Sequence, residues 1–160
     1  MKIVVKKARL FVTLAGLALA GVVHAAEPSF AGSWTFSPEN SQNIGMMAAI
    51  KQTAKITQTA KELVVSESSV FQGQVTDRKY TLNLTGKKVP NEGPMGAKAE
   101  TESKWDGGNL VTTWTSEGAV AGSQTVRTET RSLSSDGKRM IVKTVRGENK
   151  PVVMVYEKTE

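Results

Sequence analysis

The chain has 160 residues, with 21 basic and 15 acidic side chains, a formal net charge of +6 and no cysteine. Disulfides and thiolate metal sites are therefore excluded within this chain, and a single histidine, His24, leaves little for zinc or haem ligation. Nucleophilic catalysis that depends on Cys or on a His-activated Ser is disfavoured for the same reason.

The first residues have the pattern of a secretory signal peptide. Basic residues without acids precede the apolar run Leu10–Val23, and small residues follow it. The small residues predict cleavage after Ala25, with cleavage after Ala26 as the second choice. A membrane anchor is the alternative, but the run is shorter than the roughly 20 residues that a span needs. We predict a cleaved signal over residues 1–25, one domain over residues 26–160, and a periplasmic or secreted protein.

Removal of the signal changes the electrostatic balance. The segment holds Lys2, Lys6, Lys7 and Arg9, so 17 basic residues remain against 15 acidic ones, a net charge of +2. His24 leaves with the segment. Because a nearly balanced charge does not favour nucleic-acid binding, we expect no nucleic-acid partner. We also expect no stable membrane insertion after cleavage.

Beyond Phe30, short β-type runs alternate with turn motifs, which is typical of an all-β domain. Asp106–Asn109 (DGGN) and Ser134–Gly137 (SSDG) are the clearest hairpin turns. The connections are too short for the crossover helix of a parallel sheet. The pattern predicts a single antiparallel up-and-down β-barrel of about nine to ten strands, since closure removes the exposed edges of a meander.

Two connecting segments differ from this pattern. Gln42–Lys51 is apolar on almost all sides, so we expect a short helix or helical turn near residues 42–51 that is buried as a plug or lid. Thr85–Ala97 contains two Pro and three Gly, and we expect it to be the longest irregular loop.

Several predicted strands are polar on both faces. In Thr125–Arg131, Val and Thr alternate with Arg127, Glu129 and Arg131. A sandwich needs one consistently apolar inner face, whereas a barrel with a cavity tolerates polar side chains and water inside. The alternative is a solvated outer face over a thin Val/Thr core. The pattern does not choose between the two.

Three motifs together resemble the calycin superfamily, which contains the lipocalins and the fatty-acid-binding proteins. They are Gly32–Trp34 (GSW), Lys104–Gly108 (KWDGG) and Val152–Lys158 (VVMVYEK). The resemblance spans roughly Phe30–Lys158 and extends in particular to small exported bacterial lipocalin-like proteins. It implies a lipocalin-like barrel that holds a small apolar or amphipathic molecule without a cofactor.

The resemblance also implies how the barrel closes at one end. Trp34, in the same motif as Gly32, is expected to pack beneath a basic residue of the last strand. Lys158 is the first candidate for that residue and Arg146 the second. We interpret Trp34 as structural rather than as a ligand contact.

For the ligand, the resemblance implies that Arg127 is the first carboxylate-binding Arg and that Tyr156 is the Tyr of the same clamp. Met154 stands where the second Arg is expected, so half of the clamp is missing. Trp105 and Trp114 flank the DGGN turn, either as cross-strand support or as walls of a cavity. These five residues are the predicted ligand-binding set. The alternatives, an exposed Arg127 and a Tyr156 that belongs to the core, stay open.

Catalytic and metal chemistry have weaker support. Glu100 and Glu102 share one face of a strand at about 7 Å, a spacing that suits paired-carboxylate hydrolysis, but alternating Glu is commoner on an exposed strand. Scattered Met residues such as Met46 and Met140 are ordinary fillers of apolar space. We expect no enzyme and no metal. The remaining alternative is a periplasmic protein-interaction or envelope-stress module with a filled barrel and no small-molecule ligand.

We expect the exported protein to begin at Ala26, because the small-residue motif favours cleavage after Ala25. Intact-mass measurement of protein recovered from the periplasm or the medium checks this. A chain that begins at Glu27 would select the second cleavage position, and an exported chain that still begins at Met1 would contradict the signal peptide.

Overall fold

Ten antiparallel strands form one nearly closed barrel in the computed structural model of this protein, which describes residues 27–159. The predicted signal segment and its cleavage position lie outside the described residues. Within residues 27–159, no helix has the length and apolarity needed to cross a membrane. The strands are β1 (Gly32–Phe36), β2 (Lys51–Gln58), β3 (Glu62–Phe71), β4 (Gln74–Asn83), β5 (Val89–Glu92), β6 (Lys98–Asp106), β7 (Asn109–Glu117), β8 (Gln124–Leu133), β9 (Arg139–Val145) and β10 (Val152–Thr159).

The strand order is β4-β3-β2-β1-β10-β9-β8-β7-β6-β5. Sheet neighbours are therefore neighbours in the chain, except that β1 pairs with β10 and brings the two ends of the domain together. The predicted up-and-down barrel is confirmed. The DGGN motif forms a two-residue turn, in which Asp106 pairs with Asn109 and Gly107 has a φ of 58°. Positive φ at this position is what such a hairpin turn requires.

The segment Gln42–Lys51 is a helical turn, as predicted, but it is not buried. Its 3₁₀ turn Gly45–Ala49 has no buried residue, and Met46 is 85% exposed. The prediction of a buried plug is wrong, because side chains of the strands already occupy the interior. Ile44 alone among these residues packs against the core.

The segment Thr85–Ala97 is more regular than predicted, since it contains β5 and a 3₁₀ turn at Pro94–Gly96. β5 pairs with β6 but has no backbone ladder to β4. The side chain of Asn91 joins the two strands: its Oδ1 accepts from Thr81 N at 3.1 Å, and its Nδ2 donates to Thr81 O at 2.7 Å. Nδ2 also donates to Thr101 Oγ1 at 2.6 Å. One amide thus replaces a backbone ladder at the seam.

The two ends of the barrel are packed differently. At the closed end, Phe30 stacks on Trp105 with ring centroids 6.0 Å apart, and Trp34 Nε1 donates to Phe30 O at 2.9 Å. The aliphatic core of this end consists of Ile56, Leu63, Leu82, Leu110 and Met140. The other end, here called the mouth, is formed by the β3–β4, β5–β6, β7–β8 and β9–β10 connections and the segment before β2.

Replacement of Asn91 by Ala should lower the free energy of unfolding by about 1–3 kcal/mol, because half-buried backbone groups of Thr81 lose their partner. The matched control is Asn149→Ala, on an exposed turn, which should change stability little. Denaturant unfolding measures both variants, and hydrogen exchange at Thr81 N–H reports the seam. Equal stability of the two variants with unchanged Thr81 protection would contradict the role of Asn91.

Candidate functional site

A continuous network of polar side chains crosses the middle of the barrel. Arg131 Nη2 donates to Glu129 Oε1 at 2.8 Å and to Tyr80 OH at 3.2 Å. Tyr80 OH donates to Glu67 Oε1 at 3.1 Å, and Arg78 Nη2 lies 3.1 Å from Glu67 Oε2. These five residues are called the interior network. Its two guanidinium groups and two carboxylates balance, which is the condition for burying such charges.

Strand register explains how these groups come to lie inside. Glu67 faces Arg78 across the β3–β4 hairpin. On β8, Glu129 and Arg131 are buried whereas Val126 is 48% exposed. The charged side of β8 therefore points inward, and the structure has the polar interior that the sequence left open.

Arg127 is the third guanidinium of the interior and stands outside this balance. Neither of the two ion pairs within residues 27–159 includes Arg127, and its buried Nε has no hydrogen-bond partner. Its Cζ lies 4.5 Å from the centroid of the Trp114 ring, a cation–π contact. Burial lowers the pKa of Arg127; the charge of Glu129 opposes this shift and that of Arg78 adds to it. Arg127 is thus an excess cation that is only partly compensated.

A pocket of about 280 Å³ opens at the mouth beside Arg127. Trp114, Ala99 and Thr125 belong to its inner wall, and its lining also includes Glu117 and Arg146, which are exposed. This space is called the mouth pocket. Two larger hollows, of about 580 and 470 Å³, are lined mostly by exposed or half-buried residues, and the lining of the first also includes Glu67 and Arg78 of the interior network.

The structure separates the five predicted ligand-binding residues into three places. Arg127 and Trp114 meet at the mouth pocket. Tyr156 and Met154 lie together on β10, with Tyr156 OH 3.9 Å from Met154 Sδ. Trp105 lies apart from them at the closed end. Contact of any of the five with a ligand stays a prediction.

The groups predicted to close the barrel lie close together. Trp34 pairs with Lys158 across β1 and β10, and Lys158 Nζ lies 5.6 Å from the centroid of the Trp34 ring. Gly32 has a φ of 137°, and a Cβ at this position would lie 3.1 Å from Lys158 Cε. Glycine therefore leaves room for the lysine. Arg146, the second candidate, lies at the mouth and cannot cover Trp34.

Sequence reasoning missed Glu67, Arg78 and Tyr80 as site residues, and it considered Arg146 only for the closed end of the barrel. One signal was available for two of them. Phe71 pairs with Gln74 around the tight turn, and moving four residues away from the turn along each strand places Glu67 opposite Arg78. The contact between Tyr80 and Arg131 had no such signal, because it joins β4 to β8 across the barrel.

The sequence offered one carboxylate pair for catalysis, Glu100 and Glu102. Both are exposed on the outer face of β6, outside the interior network. In the part of the chain that the structure describes, no group of three or more His, Cys, Asp or Glu side chains is arranged to hold a metal ion.

The two tyrosines should resist ionisation while the barrel is folded. Burial raises the pKa of Tyr80 and of Tyr156 above the usual value of about 10. Since the unfolded chain releases these protons first, their contribution to stability is complete below about pH 10 and is lost as the pH rises above it. Tyrosinate absorbance should therefore appear only together with loss of the near-ultraviolet circular dichroism. Tyrosinate formed at about pH 10 in a folded barrel would contradict this.

No family model matches the chain, and no curated protein matches it in sequence. Solved structures are similar in fold. The REP1-NXSQ fatty acid transporter matches with a TM-score of 0.60 and 18% identity, over 81% of this chain and 96% of that one. Lipid binding protein 8 of Caenorhabditis elegans matches with a TM-score of 0.65 and 14% identity, over 84% and 100%.

A fatty-acid-binding protein of Schistosoma mansoni, solved in complex with arachidonic acid, has a TM-score of 0.63 and 15% identity, over 85% of this chain and 100% of that one. At such identities the likeness shows the fold alone. The chain has the up-and-down barrel fold of these proteins, as the resemblance implied.

Proposed function

We propose that the protein is a small-molecule-binding barrel that holds an amphipathic ligand non-covalently, with the acidic group of the ligand at Arg127. The charge balance of the interior carries the proposal. Two guanidinium groups are paired with two carboxylates, and Arg127 remains as a third cation beside the mouth pocket. An acidic group would give this cation charge-assisted hydrogen bonds, which are about twice as strong as neutral ones.

The mouth pocket offers both kinds of surface that such a ligand needs. Trp114 and Ala99 provide apolar wall, while Thr125 and Arg127 provide polar groups. Ligand sites in proteins are mostly apolar, with a few polar groups that fix orientation. The apolar part of the ligand would supply affinity and its acidic group would supply orientation.

The fold neighbours support the proposal at the level of architecture. They are described as a fatty acid transporter, a lipid binding protein and a fatty-acid-binding protein. This chain shares their barrel but has Met154 where the resemblance leads one to expect a second Arg on the last strand. The proposal therefore assigns an amphipathic acid and no particular fatty acid.

The proposal includes export to the periplasm or the medium, which the signal-peptide pattern of residues 1–25 supports. It includes no catalytic step and no cofactor. The paired carboxylates that the sequence offered, Glu100 and Glu102, are exposed to solvent on the outside of the barrel.

A protein-interaction module is the second candidate function. Among the side chains whose burial the structure describes, the large apolar ones that are exposed lie at or near the mouth: Met46, Phe71, Val75, Val120 and Val126. The interior network, moreover, fills the middle of the barrel. A module that works through this surface alone would bind no small acid, so ligand titration separates the two candidates.

Arg127→Met should weaken binding of an anionic probe such as anilinonaphthalene sulfonate by roughly ten- to a hundredfold, since a hydrogen bond to a charged group is lost. Arg127→Lys, which keeps the charge but not the planar fork, should lose less. Arg139→Met, at an exposed position on β9, is the matched control.

Fluorescence titration measures these affinities, and circular dichroism checks that each variant is folded. Equal affinity of the Arg127→Met and Arg139→Met variants would contradict the proposal. Native mass spectrometry of protein from its own envelope gives an independent check through a co-purifying acid.

A further inference from the structure

We infer that the ligand is a compact amphipathic monoacid, with an apolar part the size of one or two fused rings, whose acidic group lies between Arg127 and Arg146 in the mouth pocket. This inference rests on the proposed function and specifies its ligand class. It differs from a long-chain acid that runs down the barrel.

The depth of free space limits the ligand to a compact one. Arg78 lies 4.4 Å from the centroid of the Tyr80 ring, and Tyr80 in turn meets Trp114, which lines the mouth pocket, edge to face at 5.4 Å. With Arg127 on Trp114, these four side chains form a belt that reaches from β4 to β8. A long chain would have to displace the belt and the interior network attached to it.

The pocket volume leads to the same limit. At about 280 Å³, the mouth pocket lies just below the range of roughly 300–1,000 Å³ that is typical of small-molecule sites. Below the belt, Leu63, Leu82 and Leu110 are fully buried and fill the closed end. A bulky ring can fill such a shallow pocket, whereas most of an extended chain would remain outside it.

The charges around the pocket indicate a single negative charge on the ligand. Arg127 and Arg146 line the pocket together with one carboxylate, Glu117. The charged lining therefore carries a formal charge of +1. The other charges near Arg127, those of Arg78 and Glu129, are paired within the interior network. One carboxylate or sulfonate on the ligand would neutralise this lining, and a second would be in excess.

Buried N–H groups without a hydrogen-bond partner support the presence of an acceptor in the mouth pocket. Trp114 is 2% exposed, and its Nε1 has no hydrogen-bond partner, like the Nε of Arg127. Of the buried side-chain N–H groups that lack a partner in the described part of the chain, these two belong to residues that line the mouth pocket. A group that only accepts hydrogen bonds, such as an ionised acid, complements this set.

Calorimetric titration with a small series of probes tests the inference on the mature protein. The series contains naphthoate, its neutral analogue naphthylmethanol, a naphthalenedicarboxylate, and straight-chain alkanoates from octanoate to palmitate. Naphthoate should bind at least tenfold more tightly than naphthylmethanol and more tightly than the dicarboxylate. Affinity for the alkanoates should level off with chain length.

Two further variants examine the second cation. Arg146→Met should weaken naphthoate binding about tenfold. Lys150→Met, on the same exposed turn, should leave the affinity unchanged.

The opposite outcomes identify which statement fails. An affinity that rises about fourfold with every added methylene up to palmitate would indicate a deep chain site. That result would overturn the compact ligand while the proposed function stands. Tighter binding of the dicarboxylate would overturn the single charge, and an Arg146→Met variant equal to Lys150→Met would remove Arg146 from the site. No heat of binding for any acid at about 1 mM, the weak end of the affinity scale, would overturn the proposed function itself.

Discussion

Burial of charge is the constraint on which the rest of this structure depends. Removing one partner from a buried ion pair leaves an uncompensated charge and typically costs about 3–5 kcal/mol, so each buried guanidinium needs a carboxylate within reach. Arg131 is 3% exposed and is paired with Glu129 on the same strand, while Arg78 is paired with Glu67 across a hairpin. Tyr80 joins the two pairs by accepting from one and donating to the other. The network therefore connects β4 to β8 across the interior, where no ladder links them, and fixes the barrel cross-section as well as its charges.

The same constraint divides the barrel along its length. Apolar side chains can fill the closed end without hydrogen bonds, and they do so around Phe30 and Trp34. The charged groups lie nearer the mouth, where water reaches some of them and the desolvation penalty is smaller. Arg127 is the outermost inward-pointing charge of β8 and only half-buried. It can therefore remain without a carboxylate partner, and it is the unpaired cation that the proposed ligand would meet at the mouth pocket.

The fold was predictable because the turns and the alternation of side chains are local features. The Asp106–Asn109 motif sets the register of β6 and β7, and similar turns set the other hairpins. Glu67 opposite Arg78 was predictable in the same way. The contact of Tyr80 with Arg131 was not, because it joins residues 51 apart in sequence and depends on the curvature of the whole sheet. Gln42–Lys51 was misjudged for a related reason: its apolar residues suggested burial, but burial requires free interior volume, which local sequence does not reveal.

The absence of a second Arg at position 154 and the position of the unpaired Arg127 near the mouth are related features of the charge distribution in the barrel. A second Arg in place of Met154 on β10 would stand beside Tyr156, deep in the barrel, and would need a further anion there. The chain has Met154 instead, which packs against the core and lies near the Tyr156 hydroxyl. The deep guanidinium of this barrel is Arg131 on β8, and Glu129 already neutralises it. Deep in the barrel, an acidic ligand would therefore find Arg131 already paired with a carboxylate. The positive charge that would remain for it is that of Arg127, four residues closer to the mouth than Arg131 on β8, and this displacement separates the proposed site from a deep fatty-acid clamp.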